Sequence, residues 1–566
     1  MKTPIKFLYD RFFTILLFLF IFTYIVVTYI YLRANTVPPR WDDSMYLEHS
    51  EIIFNAFHGY GSYNPAYFTL TSLNQFNPVS LYFHLMGGGH APLITLLPVP
   101  FYFIFGTGFL GLIITFFALI LAFNLVFYRF VSEIADMPTA LLAVIITSTM
   151  PLTIGLSRYF LVEYGLMILL TLWVYLQIKS NHFREGRFNI WMGIVLGFGM
   201  LMKVIFPIYI IGPIILGLGS VIVETKFDRQ KLVRVFLNGL VVLMAGVAVM
   251  STWYIPSIKQ VLAFGYDAGF GPGAQNYSLG NPFDIQVLMS YWVSVINIGT
   301  STYYFFTLVF LSLVQGIAYL FYRKQSVSRL TERSKVSTWI MLSWFLVPFI
   351  FFSVGVNKDV RFLLPALPPI GFFIARLMMS FFNNYNLGKF VIVLFMAFPC
   401  FFFGYTSLPL SSSYFLQVGP FLMIAPQVGY VARPVSQIWP LEKMLITINE
   451  DAAKNNLKNA NNPIFVGVVP NYEYFNVNNL GYFSAHNNLP LALDLFDPPL
   501  NNDWTIQKNR ILSKDYIITK TGNQGPSFAY NSYLTPLLIN GELPFNELAR
   551  FSLPDGSDGI IFKRHP

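Results

Sequence analysis

Charge is what this sequence has least of. Only 11% of its 566 residues are Asp, Glu, Lys or Arg, against 55% hydrophobic and 18% aromatic residues. A water-soluble chain usually carries about 25% charge, so this one cannot cover a soluble body of its size. That excludes a large soluble globular protein and makes lipid the natural solvent for most of the surface. Cysteine is nearly absent too. Cys400 stands alone, which excludes an internal disulfide and a Cys/His metal cluster, and leaves the redox compartment unread. No basic stripe with interleaved aromatics occurs, so the net charge of +9 does not point to nucleic acid. The positive-inside rule and lipid headgroups account for it.

What is present is a series of long apolar runs. The first covers residues 12 to 32 without a charge, enough to cross a bilayer. It has no small-residue cleavage site beyond it and reads as a retained helix. Lys2, Lys6 and Arg11 precede it, which puts the N-terminus in the cytoplasm. Residues 91 to 128 are uncharged and too long for one helix, and Gly106-Thr107-Gly108 divides them. The expectation is an interfacial helix over 91–105 and a second span over 109–128. Further spans are expected near 138–156, 161–178, 189–203, 204–223, 235–255, 296–322, 336–354, 362–380 and 389–407. The basic loops 179–188, 224–234 and 323–335 then all face inward; the last holds five Lys/Arg and one Glu. Counting 91–105 as a span would move them outside. The charge rule therefore selects about eleven spans and an extracytoplasmic C-terminus, in a multi-pass protein of the plasma (inner) membrane.

Composition changes after about residue 430, where Asn becomes abundant and apolar runs shorten. Residues 464–469, 491–496 and 515–520 read as buried strands. Residues 441–455 and 532–539 read as helices, and 551–564 as a hairpin with an Asp-Gly turn. The fold class is thus an α-helical polytopic membrane protein with a small C-terminal α/β domain. Three regions are expected: a membrane domain over 1–407 whose outer loop 33–107 carries interfacial helices, an interfacial linker over 408–432, and a soluble domain over 433–566.

Ionisable residues at membrane depth are costly and call for a reason. Asp42 and Asp43 stand in PRWDDSMYLEHSEIIFNAF, whose apolar spacing suggests a partly amphipathic helix with its acids facing water or a cavity. His90 lies in GGGHAPL, Arg158 and Glu163 in LSRYFLVEYG, and Lys203 in GMLMKVIFP. Lys358 and Arg361 lie in VNKDVRFLLPALPP. The span count puts all of these on the outer face. Each has a plainer reading as a solvated loop, an ion pair at helix ends, or a snorkelling anchor; only their convergence on one face argues for a site.

The same segments, in this order, resemble the polytopic glycosyltransferases that use lipid-phosphate-linked sugars. This is the GT-C superfamily that holds the protein O-mannosyltransferases and the lipid A aminoarabinose transferase, with glycosyltransferase family 39 and its relatives. WDDSMYLEHS resembles the acidic motif after the first span, and GHAPLITLLPVPFYFIFG the interfacial helix that follows. LSRYFLVEYG resembles the fourth-span entry, GFGMLMKVIFPIYI the segment with an intramembrane Lys, and VNKDVRFLLPALPPIGFF the late basic motif. Departures are Ala91 for a Pro, His90 for a Lys, Glu163 for an Asp and Val204 for a Gly.

The resemblance implies transfer of a sugar from a polyprenyl- or dolichyl-phosphate donor to an acceptor hydroxyl on a protein, lipid or glycan. It implies Asp42 or Asp43 as general base, Arg158, Lys203, Lys358 and Arg361 as phosphate-binding groups, His90 as a partner of the phosphate or acceptor, and Glu163 as a group that positions the base, the acceptor or a cation. No cofactor is required; a divalent cation on Asp43 and Glu163 is allowed. Partners are the lipid-linked donor, the acceptor and membrane lipids, without nucleic acid. The rival readings are a transporter or lipid flippase, which would place charges near the midplane and show repeated halves, and a ligase or polymerase of lipid-linked glycans.

Overall fold

A computed structural model describes residues 4–57, 90–275, 278–321, 332–382, 386–411, 413–455, 464–496, 509–525 and 531–565. Most of the basic loop 323–335 lies outside them. The chain forms two compact units. One comprises residues 1–33, 88–93 and 116–434; the other comprises 34–87, 94–115 and 435–566.

The first unit is helical. Its elements are α1 (Pro4–Ala34), then α5 (Phe109–Ile134, from residue 116), α6 (Met137–Ser148), α7 (Pro151–Leu156), α8 (Val162–Lys179), α9 (Asn189–Met202), α10 (Phe206–Thr225) and α11 (Arg229–Gly269). Then come α12 (Ile285–Ser294), a π turn (Val295–Thr300), α13 (Thr302–Phe321), α14 (Glu332–Val354), a 3-10 turn (Val360–Ala366), α15 (Pro368–Phe382) and α16 (Asn386–Ser407). Among the described residues six helices are long and apolar enough to cross a membrane, or up to eight if each of two bent pairs is one span. The six coincide with six expected spans. The bent pairs coincide with 296–322 and 362–380; they turn by 98° at Ser301 and 54° at Leu367. The remaining three expected spans fall on shorter apolar helices.

The sequence understated two features. Residues 138–156 are two helices, because Pro151 cannot extend the first and restricts the residue before it. Helix α11 continues fourteen residues beyond the expected 255; its 41 residues reach about 60 Å at 1.5 Å each, twice the hydrocarbon thickness. Large apolar side chains such as Ile15, Phe22, Val223, Met244, Phe310 and Val393 remain exposed along the helices, as lipid contact requires. Polar groups inside the unit are paired across helices: Ser148 Oγ donates to Asn124 Oδ1 at 2.9 Å, and Thr149 meets the Tyr304 hydroxyl at 2.6 Å. After α16, two short ribbons follow: β1 (Leu416–Val418) with β2 (Phe421–Ile424), and β3 (Gln427–Val428) with β4 (Val431–Ala432).

The second unit is an α/β domain. It holds α2 (Trp41–Phe57), α3 (Leu93–Leu96, from residue 94), α4 (Val99–Phe105), α17 (Leu441–Lys454), β5 (Ile464–Val468), α18 (Val477–His486), β6 (Leu491–Leu495), β7 (Tyr516–Lys520), α19 (Asn531–Ile539), β8 (Phe545–Ser552) and β9 (Asp558–Arg564). The sheet order is β6-β5-β7-β9-β8; the first three strands are parallel and β9 and β8 join antiparallel. Both faces of β7 and β9 are covered, so these strands are apolar on both sides, whereas the edge strand β8 is largely exposed. Tyr516, Ile518 and Ile561 face the core built with Met444, Ile448 and Leu480. Ile517, Ile560 and Phe562 face Leu534 and Leu538. The expected strands, both expected helices and the hairpin are present; the hairpin's Gly556 takes a φ of +80° at its tip. The expected helix over 91–105 is instead two pieces, α3 and α4, separated at Pro98.

Helix α18 has no counterpart in the sequence reading. Its Asn-rich sequence has weak helix propensity. Its start is fixed by a capping box, in which Asn476 caps the Asn479 amide and Asn479 returns to the Asn476 N–H. It packs on α2: Asn479 Nδ2 donates to the Pro39 carbonyl and, at 2.9 Å, to Ser44 Oγ. Three of the four acids of α2 are therefore turned away from water. Asp43, Glu48 and Glu51 are 7%, 2% and 1% exposed, and a Cβ on Gly481 would lie 2.5 Å from the Glu48 carboxylate.

Candidate functional site

Breaks between apolar helices bring a set of charges together in the first unit. Helix α8 starts at Val162 with no side-chain cap, and Glu163 occupies its first turn, where the exposed N–H groups favour an anion. The Glu163 side chain is buried, at 1% exposure. Lys203 ends α9 in extended backbone before α10 begins. Its Nζ lies 2.6 Å from Glu163 Oε1 and 4.0 Å from the Phe362 ring centroid. The 3-10 turn starts at Asp359, whose Oδ1 accepts the Arg361 amide at 3.0 Å. Arg361 Nε is 2.9 Å from Asp359 Oδ2 and 3.7 Å from Glu163 Oε1. Tyr430, in the β3–β4 turn, donates its hydroxyl to Asp359, 3.0 Å from each oxygen. Two acids and two bases thus meet where four elements end or begin. Lys203 and Arg361 are cations that could meet an anion, and in this structure Glu163 and Asp359 balance them.

The other expected binding groups have different neighbours. Lys358 is buried and donates to the Ser353 carbonyl, with the Tyr291 ring centroid at 5.2 Å. Burial pushes its ammonium below the usual lysine range. Arg158 is 4% exposed. Its guanidinium lies 4.3 Å from the Tyr31 ring centroid and 5.6 Å from that of Phe403, and Nη2 donates to Ser407 Oγ. Its Nε and Nη1 have no hydrogen-bond partner among the described residues. His90 rests against Phe264 of α11, ring centroids 4.5 Å apart. Glu163 thus brings together two of the expected cations, Lys203 and Arg361.

Asp42 and Asp43 occupy the first turn of α2, in the second unit. Asp42 is half-buried and Asp43 buried. Further along α2, Glu51 Oε1 is 3.2 Å from His486 Nδ1. That hydrogen bond holds the imidazole pKa above the ordinary histidine value, against the opposing effect of burial. Burial, with the nearby Glu51 and Asp43, drives the Tyr482 phenol upward.

Asp43 and Glu163, the carboxylates weighed as ligands for a divalent cation, belong to different units. The Glu163 charge is met by Lys203 and Arg361. Among the described residues no three His, Cys, Asp or Glu side chains converge as a metal would need. Sequence reasoning missed Tyr430 altogether and gave Asp359 no role. The one local signal was Gly429, a turn residue before Tyr430.

No family model matches the sequence, and no curated protein matches it. Solved structures do. ArnT from Cupriavidus metallidurans bound to undecaprenyl phosphate superposes with a TM-score of 0.54 at 11% identity, over 96% of this chain and 97% of that one. Its apo state gives 0.53 at 13% identity, over 97% and 98%. The Archaeoglobus fulgidus oligosaccharyltransferase in complex with Zn and sulfate gives 0.50 at 14% identity, over 95% of this chain and 72% of that one. At these identities the likeness is one of fold. The chain is an α-helical polytopic membrane protein with a C-terminal α/β domain, and it shares the fold of these proteins.

Proposed function

We propose that the protein is a membrane glycosyltransferase that moves a sugar from a polyprenyl-phosphate donor to an acceptor hydroxyl at the outer face of the plasma membrane. The observation that carries this reading is the pairing of Lys203 and Arg361 around Glu163 at the ends of apolar helices. A fold shared with a protein crystallised with undecaprenyl phosphate supports it.

In the reaction the acceptor oxygen forms a bond to the anomeric carbon as that carbon's bond to the phosphate oxygen breaks. The phosphate leaves as a monoester and gains one negative charge. Lys203 and Arg361 stabilise that charge, with Arg158, Lys358 and His90 as further donor-binding groups. The acceptor proton passes to a carboxylate, and the family resemblance gives that role to Asp42 or Asp43 of the second unit. No step is assigned to a metal.

The test is sugar transfer from a labelled polyprenyl-phosphate donor by purified full-length protein in lipid vesicles. Arg361→Ala should slow transfer by on the order of 10²–10³-fold, the effect of removing one charge-stabilising donor. Of Asp42→Asn and Asp43→Asn, at least one should abolish it. Full turnover in all three folded variants overturns the assignment. Transfer of an oligosaccharide from a lipid diphosphate is the second reading, favoured by the fold of the archaeal oligosaccharyltransferase, which was also crystallised tethered to an acceptor peptide. Supplying both donor types in parallel separates the two.

A further inference from the structure

The β3–β4 turn is a two-residue loop, since Val428 pairs with Val431. Gly429 takes its first central position with a φ of +58°, as a type II′ turn demands. The turn is held on two sides. A Cβ on Gly155 of α7 would lie 2.7 Å from the Tyr430 carbonyl carbon, and a Cβ on Gly429 would lie 2.4 Å from the Ile298 side chain. Tyr430 is thereby presented at a fixed height to Asp359. Burial, then the Asp359 charge, pushes its phenol pKa up, so the hydroxyl stays protonated and donates. Asp359 in turn meets Arg361 twice, accepting a hydrogen bond from its backbone amide and lying 2.9 Å from Nε as an ion pair. A carboxylate free to rotate would fix neither the plane nor the reach of that guanidinium. One that shares the phenol's proton between its oxygens is held in place, with Oδ2 2.9 Å from Nε.

We propose that Tyr430 is a positioning residue, which through Asp359 orients the Arg361 guanidinium for the phosphate of a polyprenyl phosphate. This rests on the phosphate reading of the charge cluster given above. The linker ribbon after the last span then becomes part of the donor site, although Tyr430 itself touches no substrate.

The experiment is binding of undecaprenyl phosphate to the full-length protein in detergent, with undecaprenol as the neutral control and thermal melting alongside. Four proteins are compared: wild type, Tyr430→Phe, Arg361→Ala and the double variant. Tyr430→Phe keeps the ring and removes one hydrogen bond to a charged group, so affinity for the phosphate lipid should fall about tenfold. Undecaprenol binding and the melting temperature should hold. On the Arg361→Ala background the same change should cost nothing more, because the group it positions is gone. Tyr430→Phe binding like wild type, or a loss that adds in full to that of Arg361→Ala, overturns the inference and leaves the phosphate reading standing. Unchanged binding by Arg361→Ala overturns the phosphate reading, and the role of Tyr430 with it. Should Tyr430→Phe melt early, Asp359→Asn carries the same comparison: its amide oxygen still accepts from Tyr430 but no longer pairs as an anion with Arg361. It too should weaken phosphate-lipid binding and add nothing to Arg361→Ala; any other result overturns the inference.

Discussion

His486 and Glu51 are a pair whose strength depends on protonation. The imidazole lies 3.2 Å from a carboxylate that is 1% exposed, and that hydrogen bond raises its pKa. Glu442 adds to the field, and Tyr482 packs beside the ring at 6.0 Å between centroids. A group whose folded pKa is raised stabilises fully below its unfolded value and loses that contribution as pH climbs through the folded value. The unfolded value for histidine is about 6.5. The second unit should therefore melt at a higher temperature near pH 6 than near pH 8.5. His486→Gln should flatten that dependence, read by thermal unfolding across the pH series. An equally steep dependence in the variant would place the titrating group elsewhere. Lys203, Glu163 and Arg361 obey a different residue-scale logic. Each is tolerated among apolar helices because another meets its charge, so removing any one leaves an uncompensated ion.

At the scale of elements, α9 and α11 pack through small residues. Gly193 and Gly197 are four apart and share a face. A Cβ on Gly193 would sit 2.4 Å from the Ala245 Cβ and 2.7 Å from the Val242 carbonyl; one on Gly197 would sit 2.4 Å from the Val249 Cβ. Backbone cannot yield as a side-chain tip can. Gly197→Leu should cost about 3 kcal/mol of stability through overpacking, measured as a lowered melting temperature. It should also depress transfer, since α9 ends at Lys203. Gly219 of α10 has nothing within 4 Å of its Cβ position. Gly219→Ala should be neutral or stabilise by up to ~1 kcal/mol, and a loss comparable to that of Gly197→Leu would contradict the packing explanation.

For the whole molecule, orientation follows from where the basic residues lie. The loop 224–234 carries Lys226, Arg229, Lys231 and Arg234 and is expected on the cytoplasmic side; the C-terminal domain is expected outside. Cys400 is the sole cysteine, so Cys400→Ser gives a clean background. A membrane-impermeant maleimide applied to intact cells should label Asn540→Cys and spare Lys231→Cys. The reverse pattern would invert the topology and detach the outer-face reading of the function.

The sequence by itself determined the solvent of this protein and most of its elements. Uncharged runs of about twenty residues have few stable states outside a bilayer, and short strands bounded by Asn and Pro identify the C-terminal domain from local chemistry. It also singled out Glu163, Lys203 and Arg361, because a charge inside an apolar run is conspicuous wherever it points. Tertiary structure decided what such local signals do not carry. It buried Asp43, Glu48 and Glu51 of α2, the helix packed on α18; α18 itself is too poor in helix formers to read and is held by its capping box and that packing. It turned Arg158 toward Tyr31 and Phe403, while Glu163, five residues on, faces Lys203. It brought Tyr430 to Asp359 across 71 residues, a pairing that depends on where two glycines let backbones approach. Spacing along a chain sets which residues share an element, whereas contact between elements depends on packing that no local pattern records.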